Sequence, residues 1–281
     1  MGIIQNQFVG IFDSGVGGLS VSREIHRLLP KAPIYYVADQ AHVPYGKRQM
    51  DEIFTFSLAI SRFLNAKGAA VIVVACNTAS AAALSALRET LPGTPFVGME
   101  PAVKPATLQT ESGIVGVLAT PATFEGRMYS TLVERFAQNV RLLTNTLPGL
   151  VEAVERGELD APETRRILEA AIKPMLAEGA DTLVLGCTHF PFVLPLIHEI
   201  AGPYVNVIDP APAVARRTAY LLEQAAITFA DEDEAETIYA TTGSALKFQS
   251  ALRSLLKIET EPVQLAWNEP SDQLTEMRSQ A

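Results

Sequence analysis

The chain has two cysteines, and each sits in a short segment that echoes the other: VIVVACNTASA at 71–81 and TLVLGCTHFPF at 182–192. Cys76 and Cys187 lie 111 residues apart, each ending a run rich in β-branched residues and leucine, each followed by a polar pair, Asn77–Thr78 and Thr188–His189. A second echo lies upstream, where VGIFDS at 9–14 aligns with VGVLAT at 115–120, an offset of 106. A duplicated unit of this kind implies a pseudo-twofold axis with Cys76 and Cys187 facing each other across a cleft. That geometry suits proton transfer at one carbon atom from two sides. A thiol at a strand end, just before a helix start, feels the positive end of the helix dipole and nearby N–H groups, which favour the thiolate that a base requires. The bland alternative is a pair of inert small hydrophobes in buried strands. The repeated context, with hydrogen-bonding neighbours each time, weighs against it.

The elements that must hold these residues read as alternating strands and helices. Phe8 to Phe12 predicts a strand, Ser20 to Leu29 a helix stopped by Pro30, and Ile34 to Ala38 a second strand. Ile53, Phe56, Ile60 and Phe63 recur at helical spacing, and Gly68 ends that helix before a strand over Ala70 to Ala75. Continuous apolar strands joined by helices belong to a parallel sheet covered on both faces. The cluster LPGTPFVGMEP at 91–101 marks a crossing into a second domain, where the pattern restarts with a strand at Ile114 to Ala119. One helix is expected to carry Phe124, Met128, Leu132 and Phe136 on a single face. A helix from about Pro162 to Glu178 should be kinked or divided by Pro174. A strand at Thr182 to Gly186, a helix from about Phe192, and a strand at Val205 to Ile208 follow. Residues 213–260 supply further helices and a short strand around Tyr239, and the polar stretch NEPSDQLTEMRSQ at 268–280 reads as frayed. The fold class is therefore α/β, two pseudo-symmetric domains with mainly parallel sheets and the site in the cleft between them: 1–97 plus 210–281, and 98–209.

In such sheets ligands sit outside the carboxyl ends of the strands, where Asp13, Cys76, Thr120 and Cys187 all fall. Other readings of the same residues fit less well. A metal site needs more ligands than Cys76, Cys187 and His189 offer, since His26, His42 and His198 sit in no ligand spacing. The loop DSGVGGLS at 13–20 lacks the GK[ST] of a phosphate loop and reads better as a tight turn whose amides and Ser14 hydroxyl hold a carboxylate. The formal charge of −9 and the lack of a basic run argue against direct nucleic-acid binding. The apolar stretch from Gly68 to Leu87 is interrupted by Asn77, Thr78, Ser80 and Ser85, so a buried strand and an alanine-rich helix are expected rather than a membrane span. No export signal is expected in MGIIQNQFVGIF, and two cysteines with an acidic composition point to the cytoplasm. A two-domain amino-acid binding module remains a rival, but it has no need of paired thiols.

Four motifs, GIFDSGVGGLSV at 10–21, VPYGKR at 43–48, VVACNTASA at 73–81 and LVLGCTHFPF at 183–192, resemble in order and spacing those of the glutamate racemases, and YATTGSALKFQ at 239–249 is similar to that family's C-terminal segment. The resemblance implies a cofactor-independent racemase that supplies D-glutamate for bacterial peptidoglycan, with Cys76 and Cys187 as the acid/base thiols. It implies that Asp13 assists the first thiol, that His189 stands beside the second and that Glu155 supports His189. It also makes Asp13 and Ser14, Tyr45 and Gly46, Asn77 and Thr78, Thr120 and Thr123, and Thr188 and His189 the substrate-contacting residues. No metal or other cofactor is implied. The expected partner is glutamate, with no membrane and a homodimer left open; an aspartate racemase or a related two-cysteine isomerase is the alternative. Three stretches depart from the family pattern: Ala38 and Gln40 stand where glycine and threonine are common, Pro121 and Ala122 replace the usual residues between Thr120 and Thr123, and 145–157 lacks the family's CysPro entry.

Overall fold

The computed structural model describes residues 7–229, 235–268 and 273–277. The first repeat runs β1 (Phe8–Asp13), α1 (Leu19–Leu28), β2 (Ile34–Ala38), α2 (Met50–Ala66), β3 (Ala69–Val74), α3 (Asn77–Thr90) and β4 (Phe96–Gly98). The second runs α4 (Val103–Gln109), β5 (Ile114–Ala119), α5 (Pro121–Glu125), α6 (Arg127–Phe136), β6 (Arg141–Asn145), α7 (Leu150–Glu155), α8 (Pro162–Ala177), β7 (Thr182–Gly186), α9 (Leu194–Ala201) and β8 (Asn206–Ile208). The chain then returns through α10 (Ala211–Gln224), β9 (Thr237–Thr241), α11 (Ala245–Leu256), β10 (Val263–Asn268) and β11 (Gln273–Glu276).

Strand order makes the duplication explicit. The first sheet contains the order β2-β1-β3-β4 and the second is β6-β5-β7-β8, so each strand of one repeat has a counterpart in the same place in the other. All these pairings are parallel. The central strands are apolar because they are covered on both faces; Val71 to Val74 and Leu183 to Leu185 have no accessible surface. The sheets differ at one edge. β9, β10 and β11 extend the first sheet beyond β2, which is buried along its whole length, whereas its counterpart β6 remains an edge with Arg141 and Thr144 exposed.

Several expectations are corrected. Gln273–Glu276 is not frayed: it pairs antiparallel with β10, placing Leu274 opposite Trp267 and burying it, while 269–272 and 278–280 lie outside the described residues. The single helix expected around 124–136 is two, parted at Gly126, where a Cβ would come within 2.8 Å of the Ala81 Cβ on α3. α8 is not divided at Pro174 but continues through it to Ala177. The 91–101 cluster still contributes β4 to the first sheet, and the helix expected from Phe192 opens as a 3-10 turn over Phe190–Val193 before α9. The apolar stretch 68–87 divides into β3 and α3, and no helix among the described residues is long and apolar enough to cross a membrane.

Candidate active site

The glycine-rich turn after β1 is built to let other groups come close. A Cβ at Gly15 would overlap the Glu155 carboxylate, and one at Gly17 would collide with the His189 ring and the Thr188 hydroxyl. Its amides do hold carboxylates, as the sequence suggests, but they are the protein's own. Gly18 N and Gly15 N donate to Asp13 Oδ2 at 2.9 and 3.3 Å, and Val16 N donates to Glu155 Oε1 at 2.8 Å. Glu155 comes from α7 in the other repeat, so this turn ties the two halves together beneath the site.

Cys76 is the N-cap of α3. Its Sγ accepts from Ala79 N at 3.4 Å and lies 3.9 Å from Ser14 Oγ, to which the thiol can donate. Burial together with the negative charge of Asp13 pushes the Cys76 thiol well above its ordinary pKa. Asp13 is itself pushed up by burial, in part offset by the charge of His189 and the turn amides. This half of the site therefore favours a thiol that keeps its proton, beside a carboxylate more basic than usual.

Cys187 follows β7, and its Sγ lies 3.7 Å from His189 Nδ1. The other ring nitrogen, Nε2, is 2.7 Å from Glu155 Oε1. Burial opposes a charged imidazole, but its hydrogen bonds to Cys187 and Glu155 outweigh burial and raise the His189 pKa well above its ordinary value. Burial likewise opposes the Glu155 charge, yet His189, Val16 N and Gln40 together hold its pKa below the usual carboxylate range. An imidazolium beside a sulfur is the neighbour that stabilises a thiolate.

Both sulfurs line one cavity of about 150 Å³, although Cys76 is only 5% and Cys187 only 6% exposed. Ser14, Tyr45, Gly46, Asn77, Thr78, Thr120, Thr188 and His189 share its wall. Among the described residues, the buried Asn77 side chain has no hydrogen-bond partner for either its oxygen or its nitrogen, so both groups remain available to a ligand. Thr120 Oγ1 lies 2.9 Å from both Thr78 Oγ1 and Thr123 Oγ1, joining the walls from opposite repeats. Asp13, Thr123 and Glu155 stand behind the wall rather than in it. Tyr45 reaches the cavity, but its hydroxyl donates to Asp39 Oδ2 at 2.6 Å.

Sequence reasoning missed part of the wall: Pro44 and Lys47 from the first repeat, and Thr146 to Gly149 with Val151 and Glu152 from the second. Lys47 Nζ donates to Glu152 Oε1 at 2.6 Å, an ion pair linking the repeats at the rim. Only the turn composition of TLPG at 146–149 could have drawn attention to that loop. Among the described residues, no three His, Cys, Asp or Glu side chains are grouped to hold a metal ion.

Residues 10–218 match the family model for Asp/Glu/Hydantoin racemase. The chain is 50% identical over 248 residues to glutamate racemase of Ectopseudomonas mendocina, covering 88% of this chain and 94% of that one. Among solved structures, a glutamate racemase isoform from Bacillus anthracis superposes with a TM-score of 0.82 at 32% identity, covering 92% of this chain and 97% of that one. Glutamate racemase from Francisella tularensis, solved in complex with D-glutamate, gives a TM-score of 0.79 at 28% identity, covering 92% and 96%. Paired strand orders, two cysteines meeting in one cavity and these likenesses agree: the chain belongs to the Asp/Glu/Hydantoin racemase family and, within it, to the glutamate racemases.

Proposed function

We propose that this isomerase interconverts L- and D-glutamate without a cofactor, with Cys76 and Cys187 as the two acid/base groups. The observation that carries the reading is that the two sulfurs occupy counterpart positions, after β3 and β7, and line the same cavity. The α-proton of an amino acid is very weakly acidic, so removing it requires hydrogen bonds to the α-carboxylate as negative charge moves into it. The Asn77 amide and the Ser14, Thr78 and Thr188 hydroxyls line the cavity and are suited to that task. One cysteine acts as thiolate to take the proton while the other, as thiol, delivers one to the opposite face. Reversing the direction exchanges their states. By family likeness, Cys187 takes the proton from L-glutamate and Cys76 from D-glutamate.

Asp13 assists Cys76 as a nearby base, while His189, steadied by Glu155, assists Cys187. Residues 1–97 with 210–281 act as one body and 98–209 as the other, and the D-glutamate bound by the Francisella neighbour supports the substrate class. The product feeds peptidoglycan synthesis in the cytoplasm. Dialysed protein, followed by circular dichroism without pyridoxal phosphate or metal, should invert L-glutamate faster than L-aspartate. In heavy water, early D-glutamate should carry deuterium while the remaining L-glutamate stays protiated. A pyridoxal absorbance band in active protein, loss of activity with chelator, faster turnover of aspartate, or protium retained in early D-glutamate would overturn the reading.

A further inference from the structure

Gln40 stands where the family commonly has threonine, and its side chain bridges two halves of the molecule. Its Nε2 donates to Glu155 Oε2 at 3.1 Å, and its Oε1 accepts from Thr241 Oγ1 at 2.9 Å. The orientation of the amide is fixed by its neighbours: an ionised carboxylate only accepts, so Nε2 must face Glu155, and Oε1 is then left for the threonine hydroxyl. Thr241 is held in turn by Gly243 N, which donates to its Oγ1 at 3.0 Å. A Cβ at Gly243 would lie 2.6 Å from the Gln40 Cβ, so this glycine lets the glutamine pack against the turn after β9. The next threonine grips the same loop, with Thr242 Oγ1 donating to Asp39 Oδ1 at 2.7 Å and accepting from Ala41 N at 3.1 Å.

These contacts form a continuous line from the added edge of the first sheet to the second thiol: Thr241, Gln40, Glu155, His189, Cys187. Glu155 Oε1 already receives Val16 N and faces His189 Nε2, so that oxygen is fully engaged. Gln40 supplies the hydrogen bond on the other oxygen and sets the rotation of the carboxylate plane. We propose that Gln40 is a positioning residue for the second half of the site, holding the Glu155 carboxylate in register on His189 and, through it, the imidazole on Cys187, with Thr241 locking the Gln40 amide. The proposal rests on the reading of Cys187 and His189 as acid/base partners. It also gives the C-terminal return a role in catalysis: β9 extends the sheet and delivers the residue that anchors the line.

The test is a double-mutant cycle on full-length protein. Gln40→Met keeps the side-chain length and removes both amide groups. Its kcat should fall roughly ten- to a hundredfold, the scale of a lost hydrogen bond to a charged group, with the melting temperature close to wild type. In a Glu155→Gln background the same change should have little further effect, whereas in a Ser14→Ala background it should multiply fully. A purely structural role would multiply in both backgrounds, and that result would overturn the proposal.

A second readout does not need turnover. The chain has four histidines, so imidazole nitrogen resonances can be assigned by removing His26, His42 and His198 in turn. The His189 signal should move in Gln40→Met toward its position in Glu155→Gln, and stay in place in Ser14→Ala. An unmoved His189 signal would refute the tether even if wild-type protein failed to racemise glutamate. Wild-type racemisation with an unaffected Gln40→Met would refute the tether alone.

Discussion

Cys76 and Cys187 occupy equivalent places in two sheets of the same strand order, yet their surroundings have little in common. The first sulfur caps a helix and faces a hydroxyl, with a buried carboxylate near enough to oppose its ionisation. The second faces an imidazole held positive by a carboxylate from α7. Duplication fixed where the sulfurs sit, and divergence decided what sits behind them. The negative neighbour opposes ionisation of the first thiol, while the neighbour of the second is an imidazole whose own charge is favoured, so the two halves differ in the sign of the charge behind the sulfur.

Removing either sulfur should erase the comparison altogether. Cys76→Ser and Cys187→Ser should each lower racemisation at least about a thousandfold, ~4 kcal/mol of barrier, because a serine hydroxyl is too weak an acid to supply the base. Circular dichroism of glutamate measures this, and a variant that keeps a tenth of wild-type turnover would show that its thiol is not catalytic.

The supporting groups should separate by pH. In the proposed mechanism Asp13 and Glu155 both act as carboxylates; burial raises the Asp13 pKa, whereas the bonds to His189, Val16 and Gln40 lower that of Glu155. Because the two shifts run in opposite directions, the acidic limb of kcat/KM should follow Asp13. Asp13→Asn should cost roughly a hundredfold and abolish that limb, while Glu155→Gln should lower activity and keep it. A limb that vanishes with Glu155 instead would reverse the assignment.

The smallest effect belongs to the rim. Lys47→Ala breaks an exposed ion pair with Glu152, so stability should stay within about 1 kcal/mol of wild type while the glutamate KM changes by a few-fold, less so at high salt. A KM identical at low and high salt in wild type and variant would mean that the pair has no bearing on entry to the cavity.

Strands β1, β2, β3, β5 and β7 could be read from sequence because burial on both faces forces an unbroken apolar run, as in VIVV before Cys76 and TLVL before Cys187. β6 could not: as an edge it shows RLLTN, with Arg141 and Thr144 exposed and no distinctive period. β10 and β11 hid for a related reason: this outer hairpin buries only Leu265 and Leu274, and QLTE carries a single apolar residue, so the segment resembles a loose tail. The break at Gly126 depends on Ala81, 45 positions earlier, a close approach that no local pattern encodes. In the site, the residues attached to the cysteine motifs were legible because they sit next to the sulfurs in the chain. The wall at 146–152 and the link from Gln40 to Glu155 were not, because they arise only when α7 is folded against the turn after β1.

The unequal neighbours of the two sulfurs meet a limit set outside the protein. L- and D-glutamate are mirror images with equal free energy in water, so their equilibrium constant is unity and kcat/KM must be the same from either side. No arrangement around Cys76 or Cys187 can make the enzyme favour one product. What the asymmetry can do is divide one shared efficiency differently between binding and turnover: the enantiomer held in the deeper well has the lower KM and, in strict proportion, the lower kcat.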